Sequence, residues 1–251
     1  SVFKLITCAA ALDTGAIGKH SSFYCGDSIS VAGTRFHCAN HKRHGAQTVT
    51  QALENSCNQS FIQIGARLGK EAFCDYFEAF GLRAPTGIDL PAEPKKSLYY
   101  TAERMGPVEL ASCAFGQSSK ISYMEMAAAV CAVVNGGRLM QPYLVKELTD
   151  SAGNVAYEGK PKVLSQSAGK STAHTLASYL RSTAKEACQL HGLSDVSAVF
   201  EQYQVAGKTG TAEIGENREL NNAWYLSFAP ADDPQYVVVV NQCKTKKSGY
   251  Q

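Results

Sequence analysis

Apolar residues recur at near-helical spacing in several stretches of the chain. This spacing predicts helices over residues 1–14, 46–55, 59–69, 70–80, 122–134 and 170–188. Glycines at positions 69, 81 and 136 follow three of these stretches, as expected where helices end. Strand-like runs come later, over 143–148, 203–212, 223–229 and 235–243, and the last three are joined by short connections that favour an antiparallel meander. Helices first and an antiparallel sheet last predict an α+β layered domain.

Composition narrows the class of protein. The chain has 251 residues, of which 45% are hydrophobic and 18% are charged, which is typical of one globular domain. A net charge of +2, with no basic stripe, gives no indication of nucleic-acid binding. The longest apolar run, residues 126–134, is about half of the roughly 18 residues that a membrane span needs, and it predicts a buried helix.

The first candidate chemistry lies at the start of the chain. Ser1 and Lys4 are three residues apart at the head of the first predicted helix, so the lysine amine can reach the serine hydroxyl. Serine is also a common helix cap, and the pair alone does not define a site. A serine that uses its own chain amine as base, as in N-terminal nucleophile hydrolases, is an alternative that would require no other motif.

Two later stretches extend this pair into a pattern. The segment ALENSCNQSF contains Ser56 and Asn58 around Cys57, and the segment VAGKTGTAE contains the run Lys208, Thr209, Gly210 and Thr211. The chain therefore carries S-x-x-K, S-x-N and K-T-G in that order, which is the signature of serine acyl-transfer enzymes that bind penicillin.

On these motifs the chain resembles the transpeptidase domain of the penicillin-binding proteins, and especially the class B enzymes that cross-link peptidoglycan in division or spore formation. The resemblance includes the segments GIDLPAEPKK (87–96), MGPVELASCAFGQSS (105–119), NGGRLMQPYLVKEL (135–148) and WYLSFAPADDPQYVVVV (224–240). It implies an α/β/α layered domain whose mostly antiparallel sheet is flanked by helices. In the family, further elements precede the serine and follow the last strand, so the domain over residues 1–251 is expected to be incomplete at both ends.

The resemblance implies catalytic roles that agree with the chemistry of the residues. Ser1 would be the nucleophile and Lys4 its base, with a pKa lowered by burial and by the cation of Lys208. Ser56 would relay a proton to the leaving amine, because a hydroxyl both donates and accepts. Asn58 would hold the Lys4 amine and the amide of the substrate.

Substrate binding is expected on the K-T-G strand. Gly210 allows a substrate backbone to approach closely, and the hydroxyls of Thr209 and Thr211 can bind a carboxylate. The resemblance implies D-Ala-D-Ala stem peptides as substrates, β-lactams as ligands and other cell-wall assembly proteins as further candidate partners. It implies no cofactor and no nucleic acid. The expected location is the extracytoplasmic face of the cell membrane, with an anchor upstream of this sequence.

Other activities remain open for the same motifs. A D,D-carboxypeptidase uses water as acceptor, a serine β-lactamase hydrolyses its acyl-enzyme, and a β-lactam sensor or an inactive scaffold would turn nothing over. A β-lactamase requires a base for deacylation. Glu93 is the candidate for that base, but its Pro-bounded segment favours a structural role in a loop.

The nine cysteines do not form a regular disulfide pattern. Apolar helical surroundings predict small core residues at Cys8, Cys74, Cys113 and Cys131. Cys25 and Cys38 flank a hairpin-like unit, where a disulfide is one possibility. The segment FHCANHKRHG brings together His37, Cys38, His41 and His44, but without a second ligand cluster a surface loop is favoured over zinc, and no metal is assigned. A reactive thiol at Cys57 is a less favoured alternative.

Overall fold

A computed structural model of the chain describes residues 2–94, 98–190, 192–214 and 220–245. The α-helices are α1 (Lys4–Asp13), α2 (Val49–Glu54), α3 (Asn58–Leu68), α4 (Lys70–Ala79), α5 (Pro107–Ala114), α6 (Tyr123–Val134), α7 (Lys170–Leu190) and α8 (Ser194–Gln202). The strands are β1 (Ser22–Cys25), β2 (Ile29–Val31), β3 (Thr34–Phe36), β4 (Gly45–Thr48), β5 (Arg138–Gln141), β6 (Glu147–Thr149), β7 (Val155–Glu158), β8 (Lys162–Gln166), β9 (Ala206–Ile214), β10 (Leu220–Ala229) and β11 (Tyr236–Thr245). A short 3₁₀ turn spans Ala39–His41.

The predicted antiparallel meander is confirmed. Strands β9, β10 and β11 form one sheet in the order β11-β10-β9, so β9 is an edge strand among the described strands. Lys208 lies opposite Leu226 in this register, and Gly210 lies opposite Trp224. Directly paired residues of an antiparallel sheet face the same side. The Lys208 side chain therefore faces the same side as Leu226, which is fully buried.

Helices lie on both faces of this sheet, as the predicted α+β layering requires. On one face, Leu226 and Phe228 belong to the main hydrophobic core, together with Leu176 and Leu180 of α7. On the other face, the ring of Tyr225 stacks on Phe200 of α8 with ring centroids 6.4 Å apart. The sheet thus has helices on both faces, although Val238 and Val240 of β11 are exposed on the Tyr225 face, and this arrangement confirms the fold class.

Helix α1 lies in the centre of the core. Its residues from Lys4 to Ala11 are all buried, and apart from Lys4 they carry small or apolar side chains and one threonine. The helix begins at Lys4, with Phe3 at the N-cap position, rather than at Ser1 as its pattern suggested. A lysine in the first turn of a fully buried helix places an amine in the interior, where a charge is unfavourable.

The boundaries of the other elements show where local patterns were insufficient. The prediction of a helix over 46–55 is wrong at its start, because residues 46–48 pair with β1 and α2 begins only at Val49. The side chain of Thr48 accepts a hydrogen bond from the backbone of Gln51 and forms a capping box that fixes this start. The strand predicted over 143–148 is also wrong in extent, since β6 covers Glu147–Thr149.

Helix α3 packs closely on α5 because Gly65 has no side chain. A β-carbon built at Gly65 would lie 2.5 Å from the β-carbon of Ala114. Helix α3 also packs on α1, so its N-terminus is held at a fixed place relative to Lys4. No helix within the described ranges is long and apolar enough to cross a membrane.

Candidate active site

The buried amine of Lys4 connects helix α1 to the S-x-N segment. Its Nζ donates hydrogen bonds to the side-chain oxygen of Ser56 at 3.1 Å, to the backbone oxygen of Ser56 at 2.9 Å and to Oδ1 of Asn58 at 2.9 Å. The Lys4 side chain is 0% exposed. Three oxygen acceptors from one short loop therefore compensate an amine that burial would otherwise penalise.

The S-x-N segment owes its shape to the turn between α2 and α3. Ser56 has a φ of 48°, in the left-handed region, which costs a serine roughly 1–2 kcal/mol. The turn is closed by the backbone N–H of Cys57, which donates to the carbonyl of Ala52 at 2.9 Å. Helix α3 then begins at Asn58, and the sulfur of Cys57 caps it by accepting from the backbone of Ser60. This turn aims the side chains of Ser56 and Asn58 at Lys4.

Lys208 is the second buried amine of the site. It lies on β9, is 1% exposed, and its Nζ donates to the backbone oxygen of Thr209 at 2.9 Å. The charge of Lys4 is close enough to act on Lys208 electrostatically. The K-T-G strand and the start of α1 thus bring two amines into one interior region.

Burial controls the protonation of both amines. It lowers the pKa of Lys4 to about 8, while negative charge on the sulfurs of Cys38 and Cys57 opposes part of this shift. Burial also lowers the pKa of Lys208 to about 7, with a further contribution from the charge of Lys4. The Lys208 cation was expected to lower the pKa of Lys4. Burial is instead the main cause of the lowered pKa of Lys4, and the repulsion between the two charged amines lowers the pKa of Lys208. Near neutral pH, the pair can hold or release a proton, which suits general acid–base chemistry.

The remaining K-T-G residues lie on β9, which is an edge strand among the described strands. Gly210 is buried, and Thr209 and Thr211 are half-buried. Directly opposite pairs share a face, so Thr209 lies on the Tyr225 side of the sheet and Gly210 lies on the Lys208 side. The predicted nucleophile, Ser1, lies outside the described residues. It precedes Lys4 by three positions in the chain.

Glu93 stabilises a loop. Its carboxylate accepts hydrogen bonds at 2.7 Å from both the backbone N–H and the hydroxyl of Thr86, and at 3.1 Å from the backbone of Gly87. These contacts agree with the structural role that its sequence context favours.

A second cluster of chemically active side chains lies behind the S-x-N segment and was missed by sequence reasoning. The side chains of Cys25, Cys38, His44 and Cys57 bring their ligand atoms within 4.8 Å of one another. All three cysteines are free thiols, so the candidate disulfide between Cys25 and Cys38 is not formed. A hydrogen bond with the Cys38 thiol lowers the pKa of the Cys57 thiol. The signal for this cluster in the sequence was the cysteine inside S-x-N, which was considered only for its reactivity.

Comparisons with known proteins cover the whole chain. The family model described as the penicillin binding protein transpeptidase domain matches residues 1–251. The chain is 37% identical to stage V sporulation protein D of Bacillus subtilis, over 96% of this chain and 37% of that protein. It is 31% identical to the peptidoglycan D,D-transpeptidase PbpA of Mycobacterium tuberculosis, over 96% of this chain and 48% of that protein.

Solved structures show the same arrangement of elements. The D,D-transpeptidase domain of a peptidoglycan glycosyltransferase from Eggerthella lenta aligns with a TM-score of 0.85 and 30% identity, over 100% of this chain and 61% of that one. A ceftriaxone acyl-enzyme complex of penicillin-binding protein A from M. tuberculosis aligns with a TM-score of 0.85 and 26% identity, over 100% and 56%. The chain thus spans less than two thirds of each of these proteins.

Proposed function

Because the chain belongs to the penicillin-binding protein transpeptidase domain family, we propose that it is the acyl-transfer part of a peptidoglycan D,D-transpeptidase. The observation that carries the proposal is the contact of the buried Lys4 amine with both Ser56 and Asn58, at 3.1 Å and 2.9 Å. Lys208 brings a second amine of lowered pKa to the same region. This combination supplies a base, a hydroxyl relay and a polar anchor for an attack by Ser1.

Acylation begins with proton transfer from Ser1. The neutral amine of Lys4 takes the hydroxyl proton while the serine oxygen attacks the carbonyl carbon of the penultimate D-alanine. The tetrahedral oxyanion is stabilised by backbone N–H donors, for which the family uses the nucleophile and the residue at Thr211. As the C–N bond breaks, Ser56 passes a proton to the leaving amine, and the terminal D-alanine departs. Lys4 replaces the proton that Ser56 gives up.

The donor peptide binds to the edge strand, β9. The terminal carboxylate of the stem peptide binds the hydroxyls of Thr209 and Thr211. Lys208, whose side chain lies on the other face of β9, contributes charge when it is protonated. Gly210 leaves room for the peptide backbone to run beside β9. Asn58 binds the Lys4 amine through Oδ1, at 2.9 Å.

Transfer then reverses the proton movements. An amine from a second stem peptide attacks the acyl-serine and loses a proton through Ser56 and Lys4, while the Ser1 oxygen regains one. With a β-lactam, the leaving nitrogen stays tethered in the opened ring and obstructs the acceptor. The Glu93 carboxylate is bound by Thr86 and Gly87, which favours a slow reaction with water over β-lactamase turnover.

The nature of the substrates indicates on which side of the membrane the reaction takes place. Its substrates, the stem peptides of the cell wall, lie outside the cytoplasmic membrane, so the domain acts on the extracytoplasmic side and is held there by an anchor upstream of this chain. Other proteins of cell-wall assembly are the proposed partners, because two stem peptides must be presented together.

The test combines a trapped intermediate with a transfer reaction. The protein is incubated with benzylpenicillin and followed by intact-mass spectrometry. One adduct that persists for many minutes and disappears in Ser1→Ala is expected. Rapid loss of the adduct with consumption of penicillin would indicate a β-lactamase, and unchanged labelling of Ser1→Ala would exclude the nucleophile.

A stem pentapeptide and a labelled D-amino acid then distinguish the remaining activities. Incorporation of the label into the peptide is expected of a transpeptidase. Release of D-alanine without incorporation would indicate a carboxypeptidase, and acylation by penicillin without reaction of the peptide would indicate a sensor.

A further inference from the structure

Three thiols and one imidazole converge beneath the S-x-N segment. The sulfur of Cys38 lies 3.6 Å from that of Cys25 and 3.5 Å from that of Cys57, and Nδ1 of His44 lies 3.3 Å from the Cys25 sulfur. The three cysteines form their own buried cluster, separate from the main core. Thiol and imidazole side chains gathered at these distances form a set of potential metal ligands.

Three distances between ligand atoms, of 3.3–3.6 Å, are close to those of a tetrahedral metal site, and all four ligand atoms lie within 4.8 Å of one another. Zinc–sulfur bonds of about 2.3 Å and zinc–nitrogen bonds of about 2.0–2.1 Å place ligand atoms roughly 3.5–3.8 Å apart at tetrahedral angles. A disulfide instead requires about 2.05 Å between sulfurs, and two bridges cannot be formed from three thiols. Thiolate and imidazole donors in the ratio of three to one are typical of structural zinc sites.

The chain also builds the surroundings that such a site needs. The four residues come from the end of β1, the start of the 3₁₀ turn, the loop before β4 and the N-cap of α3. The Cys57 sulfur accepts hydrogen bonds from the backbone N–H of Ser60 at 3.4 Å and from its hydroxyl at 3.3 Å. Donors of this kind and a helix N-terminus both stabilise a thiolate.

Gln47 fixes the second of these donors. Its side-chain amide donates to the Ser60 hydroxyl at 2.8 Å, and both side chains are buried. The hydroxyl is thereby oriented so that its own proton points at Cys57. Such support around a ligand commonly accompanies a metal site.

We propose that Cys25, Cys38, His44 and Cys57 bind one Zn²⁺ ion as a closed structural site. Four protein ligands leave no open position, so the ion takes no part in the acyl-transfer chemistry. Its role is to cross-link three separate loops to helix α3. The histidines of FHCANHKRHG divide accordingly. His44 is a ligand, whereas the tilted rings of His37 and His41 contact each other outside the site, with centroids 4.4 Å apart.

The site is joined to the S-x-N segment on two sides. Cys57 lies between Ser56 and Asn58, so a metal bound to its sulfur restrains the turn in which Ser56 holds its positive φ. In addition, Nδ2 of Asn58 donates at 3.2 Å to the backbone oxygen of His37, the residue before Cys38. The metal therefore positions both side chains that accept from Lys4. This consequence rests on the proposed function, whereas the metal site itself does not.

Metal content tests the site directly. The reduced protein, purified without chelators, is expected to hold about one Zn²⁺ per chain. Replacement by Co²⁺ should give thiolate-to-cobalt charge transfer and the visible bands of a tetrahedral ion. Cys38→Ser and His44→Asn should each lower the zinc affinity at least tenfold, while His41→Asn, the matched histidine control, should keep it.

The possible outcomes distinguish a failure of the proposed metal site from a failure of the proposed activity. Zinc below about a tenth of an equivalent together with no cobalt charge transfer, or wild-type affinity in both ligand variants, would overturn the site. If the ligand variants do not fold, wild-type stoichiometry and the cobalt spectrum decide alone. The rate of acylation by benzylpenicillin is expected to fall in His44→Asn and to be unchanged in His41→Asn. Zinc binding without any acylation would leave the metal site standing and overturn the proposed function.

Discussion

The Lys4 amine reaches Ser56 twice, at 3.1 Å from its hydroxyl and at 2.9 Å from its backbone carbonyl. The two contacts do different things, because only the hydroxyl can donate a proton onward, whereas the carbonyl holds the amine in place. Removing the hydroxyl should therefore remove the relay while leaving the amine anchored.

Ser56→Ala tests this division of roles. Acylation by benzylpenicillin should slow by about 10²–10⁴-fold, the usual contribution of a positioned proton-transfer group. The melting temperature should change little, since the backbone contact remains. Stopped-flow labelling and thermal unfolding measure the two effects, with Ser178→Ala on the exposed side of α7 as control. A loss of labelling matched by an equal loss of folded protein would contradict the relay.

Asn58→Asp should move the pH dependence of acylation. Oδ1 of Asn58 accepts from Lys4 at 2.9 Å, and a carboxylate in its place would stabilise the charged amine and raise the pKa of Lys4 from about 8. Lys4 acts as a base only when neutral, so acylation in the wild type should rise with pH through about 8, and the variant should require a higher pH. Rate–pH profiles of the two proteins measure the shift. A profile unchanged in the variant would exclude Lys4 as the titrating base.

Lys208→Met should change the pH dependence of stability. The pKa of Lys208 is about 7 in the folded protein against 10.5 for an ordinary lysine, so the unfolded chain binds the proton more tightly. Stability is therefore lost as pH falls from 10.5 to about 7 and stays low below that, by linkage. Methionine removes this dependence, so the variant should gain most over the wild type below pH 7 and least near pH 10.5. Thermal unfolding across this range measures the difference, and a constant difference would contradict the lowered pKa.

Gly65→Ala should separate helices α3 and α5. The added carbon would lie 2.5 Å from the β-carbon of Ala114, a contact that requires one helix to shift. Overpacking of this kind typically costs about 1–3 kcal/mol. Gly18→Ala is the matched control, because a β-carbon there would meet nothing within 4 Å. Denaturant unfolding compares the two variants, and equal stability would show that α3 can move freely.

The sequence predicts an element correctly where its apolar pattern agrees with a capping residue or with short connections. Helix α6 follows from the apolar run after Ser122, whose side chain caps it, and the meander follows from three strand patterns with short connections. The contacts of Lys4 with Ser56 and Asn58 follow the order of the motifs, although no local rule brings residues this far apart together. Knowledge of a family's arrangement supplied that step.

The sequence was insufficient where tertiary pairing decides. Ala46 lies in a helical pattern but pairs with Tyr24 in a strand, because Thr48 caps the helix only afterwards. The thiol cluster was missed for the same reason. Cys25 and Cys57 are distant in sequence from His44, and only the antiparallel pairing of β1 with β4 brings their loops to the start of α3.

The placement of Lys208 on β9 has a consequence for the order in which this domain can mature. A ribosome makes Lys4 about 200 residues before Lys208, so helix α1 is synthesised well before its electrostatic neighbour. The contacts with Ser56 and Asn58 can form early, but the strand that completes the site arrives only with the final sheet. A nascent or truncated chain that ends before β9 can thus hold the contacts of Lys4 with Ser56 and Asn58 while lacking the strand that is proposed to bind the substrate. Under the proposed function, reactivity is in this way delayed until β9 has been made.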